Sequence, residues 1–208
     1  MLTYLLLTLA AIAVAFAAPQ TPPSGYQPLS KAISDQEFAL TMRVIGEAGQ
    51  PMYVALVATK NGSNEDLVLV GDHAAGLGGT PAYTYNFKPK EANGFDYVAL
   101  NMDVEGTSYG LFAADVGSVY GIATTITAVK DMQQEEWLVS DSNSEVHRKL
   151  AAGNNGFYAC QATVNGKQTT VLSWGVYNSN GSAPPGCANT AVSRICNVPG
   201  STAKCPES

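Results

Sequence analysis

Phe157-Tyr158-Ala159-Cys160-Gln161-Ala162-Thr163-Val164-Asn165-Gly166-Lys167-Gln168-Thr169-Thr170-Val171-Leu172-Ser173-Trp174-Gly175-Val176-Tyr177 decides the fold class. Two runs rich in β-branched and aromatic residues flank Asn165-Gly166. Asn-Gly tolerates positive φ at both central positions, so it favours a type I′ turn whose twist matches that of paired strands. The stretch predicts a hairpin in which Phe157–Val164 runs antiparallel to Gln168–Tyr177.

Outward from this hairpin the apolar period stays at two. Phe38, Leu40, Met42 and Val44 alternate with Ala39, Thr41 and Arg43, the pattern of a half-buried strand. Met52–Ala58 and Leu67–Val70 flank the turn-forming run Lys60–Asp66 and predict a second hairpin. Shorter strands are expected at Tyr83–Phe87, Tyr97–Met102, Gly110–Ala113 and Trp137–Val139, and a last one at Thr190–Ile195. Val119–Val129 places Ile122, Thr124, Ile126 and Ala128 on one face and predicts one continuous strand. Glu145–Ala152 reads two ways: Ser142-x-x-Glu145 has the form of a helix capping box, and the same residues suit a short strand. Roughly ten short antiparallel strands imply an all-β, single-domain sandwich or barrel.

Both ends bear on location. Met1–Ala17 is apolar, too short to span a bilayer comfortably, and ends in the small-x-small pattern Ala15-Phe16-Ala17. A signal peptide over 1–17, cleaved near Ala17 or Ala18, is expected. A Pro-rich extended arm over 18–30 and a β domain over 31–208 follow. The polar Cys205-Pro206-Glu207-Ser208 lacks the hydrophobic tail of a glycolipid-anchor signal. No membrane partner is expected.

All four cysteines, Cys160, Cys187, Cys196 and Cys205, lie in the last quarter. Behind a signal peptide an even count reads as disulfides. Of three possible pairings, Cys160–Cys187 with Cys196–Cys205 is favoured. The Pro-Pro-Gly loop before Cys187 must return toward the hairpin's sheet, and Pro199-Gly200 can turn the chain between the last two cysteines. With no Cys-x-x-Cys spacing, no zinc site is expected.

Composition narrows the function. A net charge of −6 and a pI near 4.8 disfavour nucleic acid, whose phosphates need a basic surface. With 46% hydrophobic residues the chain is not of disordered type. His73 and His147 are the only histidines, too few for a three-nitrogen zinc site. No serine lies in Gly-x-Ser-x-Gly, and Gly76-Leu77-Gly78-Gly79 lacks the Lys-Ser/Thr of a phosphate loop. Neither catalytic residues nor a cofactor nor a metal is expected. One carboxylate pair carries geometric interest: Asp103 and Glu105 share a face if their stretch is extended, as a small glycoside hydrolase would need. Tyr83 and Tyr85 likewise share a strand face and are candidate sugar-stacking residues of a lectin-like module. Asn61-Gly62-Ser63 and Asn180-Gly181-Ser182 fit the N-glycosylation acceptor.

The order Phe157-Tyr158-Ala159-Cys160, Leu172-Ser173-Trp174-Gly175, Pro184-Pro185-Gly186-Cys187 and the strand Ala191–Ile195 resembles the PhiA group of small secreted fungal cell-wall proteins and related surface and IgE-binding proteins. The resemblance covers about a third of the chain. The tail Cys196–Cys205 departs from it. It implies a strand at Glu145–Leu150, a fungal source, a secreted or wall-associated location and no catalytic residues. Cell-wall polysaccharide is the partner it suggests.

Overall fold

The computed structural model describes residues 37–46, 49–75, 78–85, 97–139, 144–149 and 154–195. These form fourteen strands, all paired antiparallel in one sheet. The expected signal peptide, the Pro-rich arm and the Cys196–Cys205 pair lie outside the described residues.

The first half supplies β1 (Phe38–Ile45), β2 (Pro51–Lys60), β3 (Leu67–Asp72), β4 (Pro81–Tyr85), β5 (Tyr97–Val104) and β6 (Thr107–Phe112). The second half supplies β7 (Ala123–Thr125), β8 (Thr127–Lys130), β9 (Trp137–Val139), β10 (Glu145–Arg148), β11 (Asn155–Val164), β12 (Lys167–Val176), β13 (Cys187–Asn189) and β14 (Val192–Ile195). The pairings close on themselves. From β1 they run through β2, β3, β8, β6, β5, β9, β10 and β14 and back to β1. Of the two expected architectures this circuit is the barrel, with β4 bridging β1 and β5. A closed circuit leaves fewer unpaired backbone edges, which an open sheet would have to protect.

The hairpin β11–β12 docks on this ring through β3, while β7 and β13 pair with its two strands. Asn165 and Gly166 have φ of 50° and 77°, so the expected two-residue turn forms, with Val164 opposite Lys167. Both faces of the hairpin are covered. Phe157, Ala159, Leu172 and Trp174 join the main core, with Leu40, Leu56, Leu100 and Trp137. Tyr158, Cys160, Val164 and Val171 join Val68 in a second cluster, under Ala183 and Cys187 of the returning loop. Sealing each large apolar side chain from water is worth roughly 1.5–3 kcal/mol, so the second face adds its own buried cluster to the stability of the hairpin.

Two expectations change, and a third, the strand at Glu145–Leu150, is met over Glu145–Arg148. β1 is buried on both faces through Met42, because Ala39 lies under the backbone at Gly79. Val119–Val129 is not one strand. Val119, Tyr120 and Ile122 are exposed, Gly117 and Gly121 take positive φ, and pairing starts only at Ala123. Glu145–Arg148 is a strand, and its helical reading lapses because β9 and β14 flank it.

Candidate functional site

Cys160 and Cys187 sit directly opposite each other on β11 and β13. Their Cα atoms are 4.0 Å apart and a disulfide joins them. The returning loop is held by backbone bonds as well: Cys187 N–H donates to Pro184 and Gln161 N–H to Gly186. A bridge spanning 27 residues is worth about 3–4 kcal/mol on chain-entropy grounds.

The inward face of the hairpin builds a second feature. Phe157 stacks near-parallel to Trp137 at 6.2 Å and meets Trp174 edge-on at 5.1 Å. On β10 alternation turns Val146 and Arg148 inward and His147 outward. Arg148 is buried, and its guanidinium lies 5.2 Å from the Trp174 ring centroid, a cation–π contact. Its Nη2 and Nε donate to Glu136 Oε2 at 2.7 and 3.1 Å, and Gln134 Nε2 donates to the same oxygen. Gln134 in turn bonds both backbone groups of Ala113. The buried cation is thus paired and hydrogen bonded, as burial requires.

A cleft of about 240 Å³ opens where β10, β11, β12 and β14 meet. Its lining includes Arg148, Phe157 and Trp174 together with Glu145, His147, Asn155 and Thr190. His147 Nε2 and the Glu145 carboxylate pair at 3.3 Å. Two buried atoms of its lining residues find no partner among the described residues, the indole Nε1 of Trp174 and the Oδ1 of Asn155. Asn155 and Phe157 point to one face of β11, and Trp174 stands opposite Phe157. Asn155 and Trp174 are therefore diagonal neighbours on one face of the hairpin.

The residues singled out in the sequence are dispersed. Tyr83 is 5% exposed, with its hydroxyl hydrogen bonded to Ser108, so its ring belongs to the wall and presents no face to solvent. Tyr85 ends β4. Asp103 lies on β5, but Glu105 stands in the left-handed region at φ 52° in a two-residue turn with Gly106. The extended stretch that would have put both carboxylates on one face does not exist. Partial burial raises the Asp103 carboxyl above its usual pKa. Asp72 and Asp115 accept bonds from Ala74 and Gly117 within their own turns. His73 is exposed just beyond β3, far in sequence from the β10 pair. No group of three His, Cys, Asp or Glu poised for a metal occurs among the described residues.

The two glycosylation acceptors differ. Asn61 is half-buried, and its Oδ1 accepts from the Asn165 N–H at 3.4 Å. Asn180 is exposed, and its Oδ1 accepts from both the N–H and the hydroxyl of Ser182, at 3.0 and 2.7 Å.

No protein-family model, curated protein or solved structure matches the chain. The fold and the disulfide define the class, an all-β protein with a closed sheet and a strand-to-strand bridge.

Proposed function

We propose that this is a secreted, non-catalytic protein of a fungal surface, held at the wall or shed into the medium. The observation that carries the reading is the Cys160–Cys187 bridge between directly opposed strand residues. Such a bond persists where reduction is weak, outside the cell, and is rare in the cytosol. The apolar leader Met1–Ala17 and the low charge content support the same location. The hydrolase alternative rested on Asp103 and Glu105, and the turn at Glu105 removes its geometric premise.

Production of the full chain in a filamentous fungus, followed by fractionation, tests the proposal. Recovery from the medium and the wall, with an amino terminus near Ala17 or Ala18, is expected. Intracellular retention with Met1 intact contradicts it.

A further inference from the structure

We propose that Asn180, in preference to Asn61, carries an N-linked glycan, because the turn around Asn180 activates its side-chain amide. The inference rests on the extracellular reading, which brings the chain to the glycan-transferring enzyme of the secretory route. Both asparagines head an Asn-x-Ser acceptor, so the sequence alone ranks them equally. Their surroundings differ. Asn178 Nδ2 donates to Ser182 Oγ at 3.0 Å and to the Ala183 carbonyl at 2.7 Å. The Ser182 hydroxyl in turn donates to Asn180 Oδ1, which also accepts the Ser182 N–H. The Asn178 N–H closes the turn on the Ser182 carbonyl at 2.8 Å. Asn180 Oδ1 thus holds two donors, while Asn180 Nδ2 finds no acceptor among the described residues.

An amide nitrogen is a weak nucleophile because its lone pair is shared with the carbonyl. Donors on Oδ1 stabilise the imidate, the form that has lost an Nδ2 proton, and so free that lone pair. In the transfer, Nδ2 bonds to C1 of a sugar held on a lipid diphosphate. The C1–O bond to the diphosphate breaks, the diphosphate leaves with the electron pair, and the Nδ2 proton passes to a base of the transferring enzyme. The product has room. Residues 179–182 are exposed, and a Cβ at Gly181 would have nothing within 4 Å. The side-chain bonds of this turn join residues at most five apart, so they form without the rest of the fold, as on a nascent chain. At Asn61 the Oδ1 takes a single donor, the N–H of Asn165, 104 residues away. The Ser63 hydroxyl makes no bond to Asn61 among the described residues.

The two acceptors make the test internally controlled. The full chain is produced in a filamentous fungus behind a secretory leader of the host, so that it meets the enzyme whatever its own leader does. Peptide N-glycosidase in heavy-oxygen water then leaves an isotope label wherever a glycan stood, and the peptides are mapped. Label is expected at Asn180, at several-fold the occupancy of Asn61. Asn178→Ala keeps the Asn-Gly-Ser acceptor but removes the donor to Ser182, and is expected to lower occupancy at Asn180 about two- to tenfold. Ser182→Thr, which keeps the hydroxyl, is expected to retain the glycan. An unlabelled Asn180 overturns the proposal. So does occupancy of Asn61 equal to or above that of Asn180, or unchanged occupancy in Asn178→Ala. Recovery of the linked Cys160–Cys187 peptide shows that each variant has folded, and should Asn178→Ala fail to fold, the comparison of Asn180 with Asn61 in the unaltered chain still decides. Failure of the chain's own leader to export it contradicts the extracellular reading alone, and an exported chain with Asn180 unlabelled loses the glycan site alone.

Discussion

The β11–β12 hairpin and the stretch from Val119 to Lys130 share an alternating apolar pattern but reach different ends. The hairpin forms two unbroken ten-residue strands paired along their whole length. The other stretch begins as an exposed turn and then divides at Ile126 into β7, which pairs with β12, and β8, which pairs with β3 and β6. The difference lies in where each strand finds its partner. Asn165-Gly166 hands Phe157–Val164 its partner locally, at low loop-closure cost. Residues 119–130 have no local partner and must serve three strands brought from elsewhere. Alternation says which residues share a face, and the turn chemistry says whether the strand is continuous.

The contrast can be broken from the hairpin side first. Cys160→Ala removes the bridge that pins the returning loop, and a loss of about 2–5 kcal/mol in denaturant unfolding is expected. A change below about 1 kcal/mol would mean that the second cluster holds the hairpin without the bond.

Gly175→Ala tests the seam between the two regions. A Cβ there would stand 2.3 Å from the Ile122 carbonyl oxygen and 2.7 Å from Ala123 Cα, both backbone atoms that cannot swing aside. A destabilisation of about 3 kcal/mol is expected in the same measurement, with loss of amide protection in β7 ahead of β11.

Tyr158 reports on the outer face. Burial, and secondarily Tyr177, push its hydroxyl up from the usual 10 to about 12. The neutral form is the one the fold favours. Its contribution is therefore complete below pH 10 and is lost as pH rises from about 10 to about 12, on the order of 2 kcal/mol. Tyr158→Phe should flatten that alkaline limb in a series of unfolding curves.

Gly166→Ala is the smallest effect. Nothing lies within 4 Å of the added methyl, so only the positive φ of 77° resists it, at about 1–2 kcal/mol. A cost equal to that of Gly175→Ala would show that the turn, rather than the seam, governs the comparison.

The fold class, the main hairpin and the Cys160–Cys187 bond were legible because each rests on local signals: a period of two, a turn dipeptide and a cysteine after Pro-Pro-Gly. The β5–β6 turn was missed because Glu105-Gly106 lacks the Asn or Asp that usually marks positive φ. β13 escaped notice because Cys187–Asn189 is three residues long and extended only by pairing with β11. The cleft could not be read in advance. Its residues come from four strands between Glu145 and Val192, and Arg148, set between His147 and Lys149, looks like part of a solvated charge run. Its inward direction follows from sharing a face with Val146, which is informative only once β9 and β14 are known to flank it.

The central claim is that the hairpin is stapled by an oxidised Cys160–Cys187 bridge in a protein that works outside the cell. Non-reducing peptide mapping of material recovered from the culture medium tests it most directly. The account predicts one linked species joining the peptide that contains Tyr158 and Cys160 to the peptide that contains Gly186 and Cys187. Free thiols at both positions, or Cys160 joined to Cys196 or Cys205, would contradict it.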